Sequence, residues 1–247
     1  MKKHIASILF LFLLSTFQLI AQSHSVKRLG IEQGLSNNYV VSITQDKQGF
    51  LWFATEEGLN KFDGTRFTTY YKNDLTQDNQ GITGNELNRV YADTKHPIIW
   101  IATQRDGLNA YNYNEQTFTA YQHNPENPHS LITNDVTDIA PSTQHDDGLW
   151  ISTYYRGIEY LDITSGQFTH YNKSTVPSLP CDQTWTVLDG GDGNLYIGHV
   201  GSGFSIFSPK DKSVKNFRNE AGNPMSLPGN DAVSYTHLRA HETRGNL

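Results

Sequence analysis

The chain has 247 residues, a formal net charge of −6 and a hydrophobic content of 36%. These values allow a substantial hydrophobic core, and an acidic balance without a basic stripe argues against nucleic acid as a partner. The 13 Tyr, 12 Phe and 20 Gly residues favour a β-rich fold with many turns. The single cysteine, Cys181, excludes an intramolecular disulfide bond.

The N-terminus has the pattern of an export signal. Lys2 and Lys3 precede an apolar run over residues 5–20, and Ala21 offers a small residue at a cleavage point. The sequence therefore predicts a signal peptide over residues 1–21 and a periplasmic location for the rest of the chain. Leu19 suits the cleavage site less well, so an uncleaved membrane anchor is the alternative.

One short phrase recurs along the chain at a nearly constant spacing. Its first three copies contain Trp52, Trp100 and Trp150, and a fourth, less well-matched copy contains Tyr196 at the same place. These four residues follow one another at intervals of 48, 50 and 46 residues. This period is too long for most helical solenoid units and is typical of a propeller blade with four short strands. We expect the three tryptophans to pack between blades, because a single blade cannot bury its own faces.

Each copy of the repeat has the same order of elements. A polar turn leads into a strand, a tight turn, the aromatic strand, a turn ending in glycine, a third strand and a short last strand. We therefore predict an all-β fold of β-propeller blades, with four four-stranded blades that form an incomplete propeller as an open arc. A closed ring of four blades is the alternative. The propeller is predicted over residues 22–232, with blades at about 34–74, 82–125, 131–175 and 179–222 and the start of a fifth at 226–232.

The end of the chain departs from the repeat. From Val233 onwards the expected turn and aromatic strand are missing, and the residues resemble the in-frame translation of a transposon-based sequencing adapter. We interpret residues 233–247 as a non-native tail. His237 and His241 lie in this tail at the i, i+4 spacing of a helical metal pair, and we assign no metal to them.

The repeat resembles that of the two-component regulator propeller family. The first copy carries the matching positions Asp46, Gly49, Leu51, Trp52, Thr55, Gly58, Leu59, Asn60, Phe62, Asp63, Phe67 and Tyr70. The resemblance implies the N-terminal periplasmic sensor part of a hybrid two-component histidine kinase of the type found in Bacteroidetes. It also implies a downstream membrane span and kinase, a homodimer in the full-length sensor, and oligosaccharides as ligands. The fourth copy departs from the pattern, with Tyr196 for tryptophan and His199 for threonine.

The turn between the aromatic strand and the third strand differs most among the four copies. It contains Arg105 in the second copy and Tyr154, Tyr155 and Arg156 in the third. In a propeller these turns share one face with the segments that link the blades, where ligands usually bind. Aromatic rings and planar donors suit sugar rings and hydroxyl groups, so we predict that these four residues bind ligand. Solvated turn residues with no ligand are the alternative.

Two classes of function remain. The first is a non-catalytic sensor that binds a small soluble oligosaccharide, needs no cofactor, and reaches the membrane only through a downstream span. The second is a secreted glycan-active enzyme on a propeller, such as a sialidase-like hydrolase or a lyase. Such a hydrolase would need converging arginines and a paired acid and nucleophile. The arginines of this chain lie at different phases of the repeat, so the sequence favours the sensor and no catalytic residue is assigned.

Overall fold

The computed structural model describes residues 26–73 and 81–232. The predicted signal peptide and the predicted tail therefore lie outside the described residues. Within these ranges the chain forms four antiparallel sheets of four strands each, and its one helix is the 3-10 turn Ile31–Gln33. No helix in this part of the chain is long and apolar enough to cross a membrane. The predicted all-β fold of four four-stranded blades is confirmed.

Each sheet is one blade, and its strands follow one another in chain order from the inner to the outer edge. Blade 1 contains β1 (Val40–Gln45), β2 (Leu51–Thr55), β3 (Gly58–Phe62) and β4 (Phe67–Tyr70). Blade 2 contains β5 (Leu87–Ala92), β6 (Ile98–Thr103), β7 (Leu108–Asn112) and β8 (Thr117–Tyr121). Blade 3 contains β9 (Val136–Pro141), β10 (Gly148–Thr153), β11 (Gly157–Asp162) and β12 (Gln167–Tyr171). Blade 4 contains β13 (Thr184–Asp189), β14 (Leu195–His199), β15 (Gly203–Phe207) and β16 (Val214–Phe217).

The repeated tryptophans lie in the cores between blades, as predicted. Trp52 and Trp100 are fully buried and Trp150 is 6% exposed. Trp52 packs in one cluster with residues of blade 2, Trp100 with residues of blade 3 and Trp150 with residues of blade 4. Each indole N–H also donates to a carboxylate, those of Asp46, Asp93 and Asp189 respectively, at 2.7, 3.1 and 3.3 Å. The large aromatic rings therefore bury apolar surface without leaving a polar group unsatisfied.

The four blades form an open arc. β1 packs beside β5, β5 beside β9, and β9 beside β13, whereas within the described ranges no comparable pairing joins blade 4 to blade 1. Ile43 shows the consequence: it is 58% exposed, while its equivalents Val90, Ile139 and Val187 are at most 2% exposed. The predicted open arc is confirmed, and in the described part of the chain no other blade packs against the open side of blade 1.

Glycine is required at the turn that precedes the third strand of each blade. Gly107 and Gly157 have positive φ values of 91° and 84°. A Cβ atom at these positions would stand 2.4 and 2.3 Å from the carbonyl oxygens of Tyr121 and Tyr171. Both the backbone conformation and the close approach of the last strand therefore exclude larger residues. These two glycines end the turns that carry the predicted ligand-binding residues.

Candidate ligand-binding site

A β-bulge interrupts the innermost strand of every blade near its start. The pairing with the second strand skips one residue in each case, and the skipped residues are Val41, Asn88, Thr137 and Trp185. A bulge leaves its extra residue outside the regular pairing and commonly redirects a side chain towards a functional site. Asn88, Thr137 and Trp185 line the same cavity.

Two turns approach this cavity from blades 2 and 3, and the linker between these blades fixes both. The carbonyl oxygen of Asn134 accepts the N–H of Gly107 at 3.0 Å, at the end of the turn that contains Arg105. The carbonyl oxygen of Asp135 accepts the N–H of Tyr154 at 3.1 Å, at the start of the next turn. The position of both turns therefore depends on two consecutive linker residues.

The cavity lies among blades 2, 3 and 4 and has a volume of about 370 Å³. This is near the lower end of the range of small-molecule sites, about 300–1,000 Å³. Its lining consists of Asn88, Gln104, Arg105, Asp135, Thr137, Tyr154, Tyr155 and Trp185. Three bulge residues, four turn residues and one linker residue thus form a single concave surface.

Three aromatic side chains form one wall of the cavity. The ring centroids of Tyr154 and Tyr155 are 4.3 Å apart, and those of Tyr154 and Trp185 are 5.9 Å apart. Both pairs meet edge to face, with interplanar angles of 81° and 78°, which is a favourable geometry for aromatic rings. Tyr155 and Trp185 remain 55% and 38% exposed, so part of their ring surface is accessible to a ligand.

The polar residues of the cavity differ in how firmly they are held. The Asn88 side chain donates to the carbonyl oxygen of Val136 at 2.8 Å, and the Thr137 hydroxyl donates to that of Thr184 at 3.3 Å. Both contacts cross to the next blade and fix these side chains. Arg105 is exposed and Asp135 is half-buried, so the cavity offers a planar cationic donor and an acceptor carboxylate.

The structure brings together three of the four residues that the sequence predicted as ligand-binding. Arg105, Tyr154 and Tyr155 line the cavity, whereas Arg156 is exposed and is not part of the lining. The backbone N–H of Arg156 donates to the Thr153 hydroxyl at 3.2 Å, at the last position of the turn. The lining residues that sequence reasoning missed are Asn88, Gln104, Asp135, Thr137 and Trp185.

A larger cavity of about 730 Å³ lies at the other ends of the strands, between blades 3 and 4. It lies beside Trp150 and Pro209. Pro209 is the blade 4 equivalent of Tyr113 in blade 2 and Ile163 in blade 3, and each of these two residues packs against the core between its own blade and the preceding one. Two of its carboxylates, those of Asp146 and Asp147, already contact Lys95 and His96 of blade 2. The smaller cavity is the better candidate, because its exposed rings and polar side chains are combined at one concave surface. Within the described ranges, no group of three or more His, Cys, Asp or Glu residues could hold a metal ion.

The fold and the repeat are similar to those of two-component regulator propellers. Residues 34–57 match the family described as "Two component regulator propeller", which confirms the resemblance seen in the sequence. The extracellular domain of the hybrid two-component system BT3049 from B. thetaiotaomicron is 69% identical, with a TM-score of 0.76. The match covers 83% of this chain and 27% of that one.

Two further proteins are similar to this chain over part of its length. Histidine kinase P4 from Formosa agariphila is 42% identical over 66 residues, which is 27% of this chain and 5% of the kinase. The extracellular domain of BT4673 from B. thetaiotaomicron has a TM-score of 0.64 at 23% identity, over 78% of this chain and 27% of that one, and shows the shared fold. The chain therefore spans only a small part of the length of the relatives it matches.

Proposed function

We propose that this chain is part of the periplasmic ligand-sensing propeller of a two-component signalling protein. In this proposal the cavity among blades 2, 3 and 4 binds a small soluble oligosaccharide without converting it. A downstream membrane span and histidine kinase in a homodimeric full-length protein then regulate genes for glycan use. A ligand can drive this signal only if it binds the two signalling states with different affinity.

The composition of the cavity supports a sugar as the ligand. The apolar C–H face of a sugar ring can pack on the exposed rings of Tyr155 and Trp185, which form a wall together with Tyr154. Hydroxyl groups can donate to the Asp135 carboxylate and accept from Arg105. The aromatic wall beside these polar groups is the observation on which the proposal depends.

The cavity gives less support to the glycan-active enzyme. Most glycoside hydrolases use two carboxyl groups, about 5–5.5 Å apart in retaining enzymes and about 6.5–9.5 Å apart in inverting ones. Asp135 is the one carboxylate among the residues that line this cavity, and Arg105 is the one arginine. An acid and a nucleophile are therefore not paired here, and binding without turnover is the function that this geometry supports.

Calorimetry of the complete extracellular region against a panel of oligosaccharides tests the proposal. We expect one sugar to bind, and Trp185→Ala and Tyr155→Ala each to weaken its binding by about tenfold or more, as for a central aromatic contact. Tyr71→Ala, at an exposed tyrosine beside the outer edge of blade 1, is the matched control and should leave the affinity unchanged. Equal affinity in all three variants would exclude this cavity as the site, and release of a product from any sugar would favour the enzyme.

A further inference from the structure

The third blade has a charged group where blades 1 and 2 have a neutral one. In blades 1 and 2 the side-chain oxygens of Asn60 and Asn109 accept the N–H groups of Ser36 and Thr83, both at 3.0 Å. In blade 3 the carboxylate of Glu159 takes this place and accepts the N–H of Ile132 at 3.0 and 3.2 Å. Glu159 is fully buried. Burial of a carboxylate is costly unless a second group compensates it.

His170 is that second group, and it connects Glu159 to the linker between blades 2 and 3. Its Nδ1 lies 3.1 Å from Oε2 of Glu159, and its Nε2 lies 2.9 Å from the carbonyl oxygen of Pro128. In blade 1 the equivalent contact is neutral, because the Thr69 hydroxyl donates to Asn60 at 3.0 Å. Glu159 and His170 together therefore hold the linker at Pro128 and at Ile132. We call this pair and its two linker contacts the clasp.

The two contacts of His170 determine how many protons the clasp contains. A carbonyl oxygen can only accept, so Nε2 must carry a hydrogen to bond Pro128. The contact between Nδ1 and Glu159 then needs a further proton, on either the imidazole or the carboxyl group. The clasp thus contains one proton more than a neutral histidine beside a carboxylate. Loss of that proton breaks either the contact to Glu159 or the contact to Pro128.

The clasp lies close to the backbone groups that support the candidate site. Ile132 precedes Asn134 and Asp135, whose carbonyl oxygens hold the N–H groups of Gly107 and Tyr154. These amides end and begin the two turns that carry Arg105 and Tyr155. Ile132 is therefore separated by only two or three residues from the carbonyl groups that hold both turns, so a shift of the linker at Ile132 should move these turns.

We infer that Glu159 and His170 are positioning residues of the candidate site. They hold its linker while they share a proton, and they release the linker when that proton is lost at higher pH. The expectation that release of the linker changes ligand binding rests on the proposed function, whereas the release of the linker itself does not. The effect is specific to the junction of blades 2 and 3, since the junction of blades 1 and 2 has the neutral residues Asn109 and Thr83.

The electrostatic surroundings agree with this assignment. Burial raises the pKa of Glu159, and the hydrogen bond that His170 donates to Glu159 raises the pKa of His170. Among the described residues, His123 of the linker also faces Glu159, and its Nδ1 lies 2.8 Å from the carbonyl oxygen of Leu131. The raised pKa of His170 means that the folded protein binds this proton more tightly than the unfolded chain does. The contribution of His170 to stability is therefore complete below the ordinary pKa of histidine and decreases as the pH rises through the folded value.

Amide hydrogen exchange of the chain without ligand, measured from about pH 6 to about pH 9, tests the inference across the range in which a histidine titrates. After correction for the intrinsic pH dependence of exchange, the protection of the Ile132 and Tyr154 amides should fall about tenfold as the pair loses its proton. The Gly58 amide, which donates to Asn85 at the neutral junction, is the internal control and should keep its protection.

The double variant Glu159→Asn with His170→Thr recreates the pair of blade 1 and should remove the pH dependence of the Ile132 and Tyr154 amides. Equal pH dependence of the Tyr154 and Gly58 amides in the unmodified chain would overturn the inference, even if the double variant failed to fold. Persistence of the pH dependence in a folded double variant would also overturn it. Because no sugar is present, neither result depends on whether the cavity binds oligosaccharide.

Discussion

Blades 3 and 4 have the same strand order, but they differ at one position of the linker that precedes each blade. In blade 3 the linker residue Ile132 has an N–H group, and the buried carboxylate of Glu159 accepts it. In blade 4 the equivalent residue is Pro180, which has no N–H group to donate. Ser205 stands at the position of Glu159 in that blade. Blade 3 therefore pairs a backbone donor in the linker with an acceptor on its third strand, whereas blade 4 has no donor at this position.

The two blades also contain histidines with opposite electrostatic behaviour, the half-buried His170 in blade 3 and the buried His199 in blade 4. The hydrogen bond that His170 donates to the Glu159 carboxylate raises the pKa of His170. In blade 4, burial lowers the pKa of His199 to about 4, and its Nε2 lies 2.8 Å from the hydroxyl of Ser205. A protonated imidazole is thus stabilised in blade 3 and excluded in blade 4. Increasing pH should weaken blade 3, whereas decreasing pH should weaken blade 4.

The largest effect should come from removing the acceptor of blade 3. Glu159→Ala removes the acceptor of the Ile132 N–H and the carboxylate partner of His170, so it should cost about 3–5 kcal/mol of unfolding free energy at neutral pH. The matched change in blade 4, Ser205→Ala, removes a neutral hydroxyl and should cost about 1 kcal/mol. Denaturant unfolding of the two variants measures the difference, and equal losses would show that the charge in blade 3 has no special role.

The second effect concerns the acid side of the stability profile. Because the folded pKa of His199 is about 4, below the ordinary value of 6.5, its contribution is complete above pH 6.5 and is lost as the pH falls through 4. A shift of this size corresponds to about 3 kcal/mol. His199→Thr introduces the residue of the other three blades and should flatten this part of the profile relative to the unmodified chain. Parallel profiles for the two proteins from pH 7 to 4 would contradict the prediction.

The smallest effect should come from exchanging the linker residues themselves. Ile132→Pro removes the donor to Glu159 and should cost about 1.5–3 kcal/mol, the value of a hydrogen bond to a charged group. The proline should fit locally, because Pro180 occupies the equivalent place in blade 4. Pro180→Ile adds a donor opposite Ser205 and should change stability by about 0.5 kcal/mol or less. Thermal unfolding distinguishes the two, and a larger loss for Pro180→Ile would reverse the interpretation of the comparison.

The fold was predictable because neighbouring blades must bury their facing surfaces against each other, and a tryptophan at the same place of the repeat serves this purpose in the first three copies. The spacing of Trp52, Trp100 and Trp150 identified the period, and even the fourth copy, with Tyr196 and His199, forms a regular blade. The turn residues of the site were predictable because Arg105, Tyr154 and Tyr155 vary where the scaffold does not. Comparison of the internal repeats therefore led to this face of the molecule.

The missed residues depend on features that alternation along a strand cannot show. Trp185 follows the start of its strand like an ordinary strand residue, and only the skipped pairing at the bulge reveals that it is an extra residue. Glu159 has the position of a common polar strand residue, and its partner Ile132 lies 27 residues earlier. Contacts of this kind become visible only once the blades are assembled.

The bulges have a consequence for how such a protein can change over generations. Val41, Asn88, Thr137 and Trp185 occupy one structural position, yet they are aliphatic, amide, hydroxyl and aromatic side chains. Because each stands outside the regular pairing, its replacement leaves the ladder and the inter-blade tryptophans intact. Substitutions at Asn88, Thr137 and Trp185 can therefore change the lining of the cavity one blade at a time, while the residues that maintain the architecture stay the same.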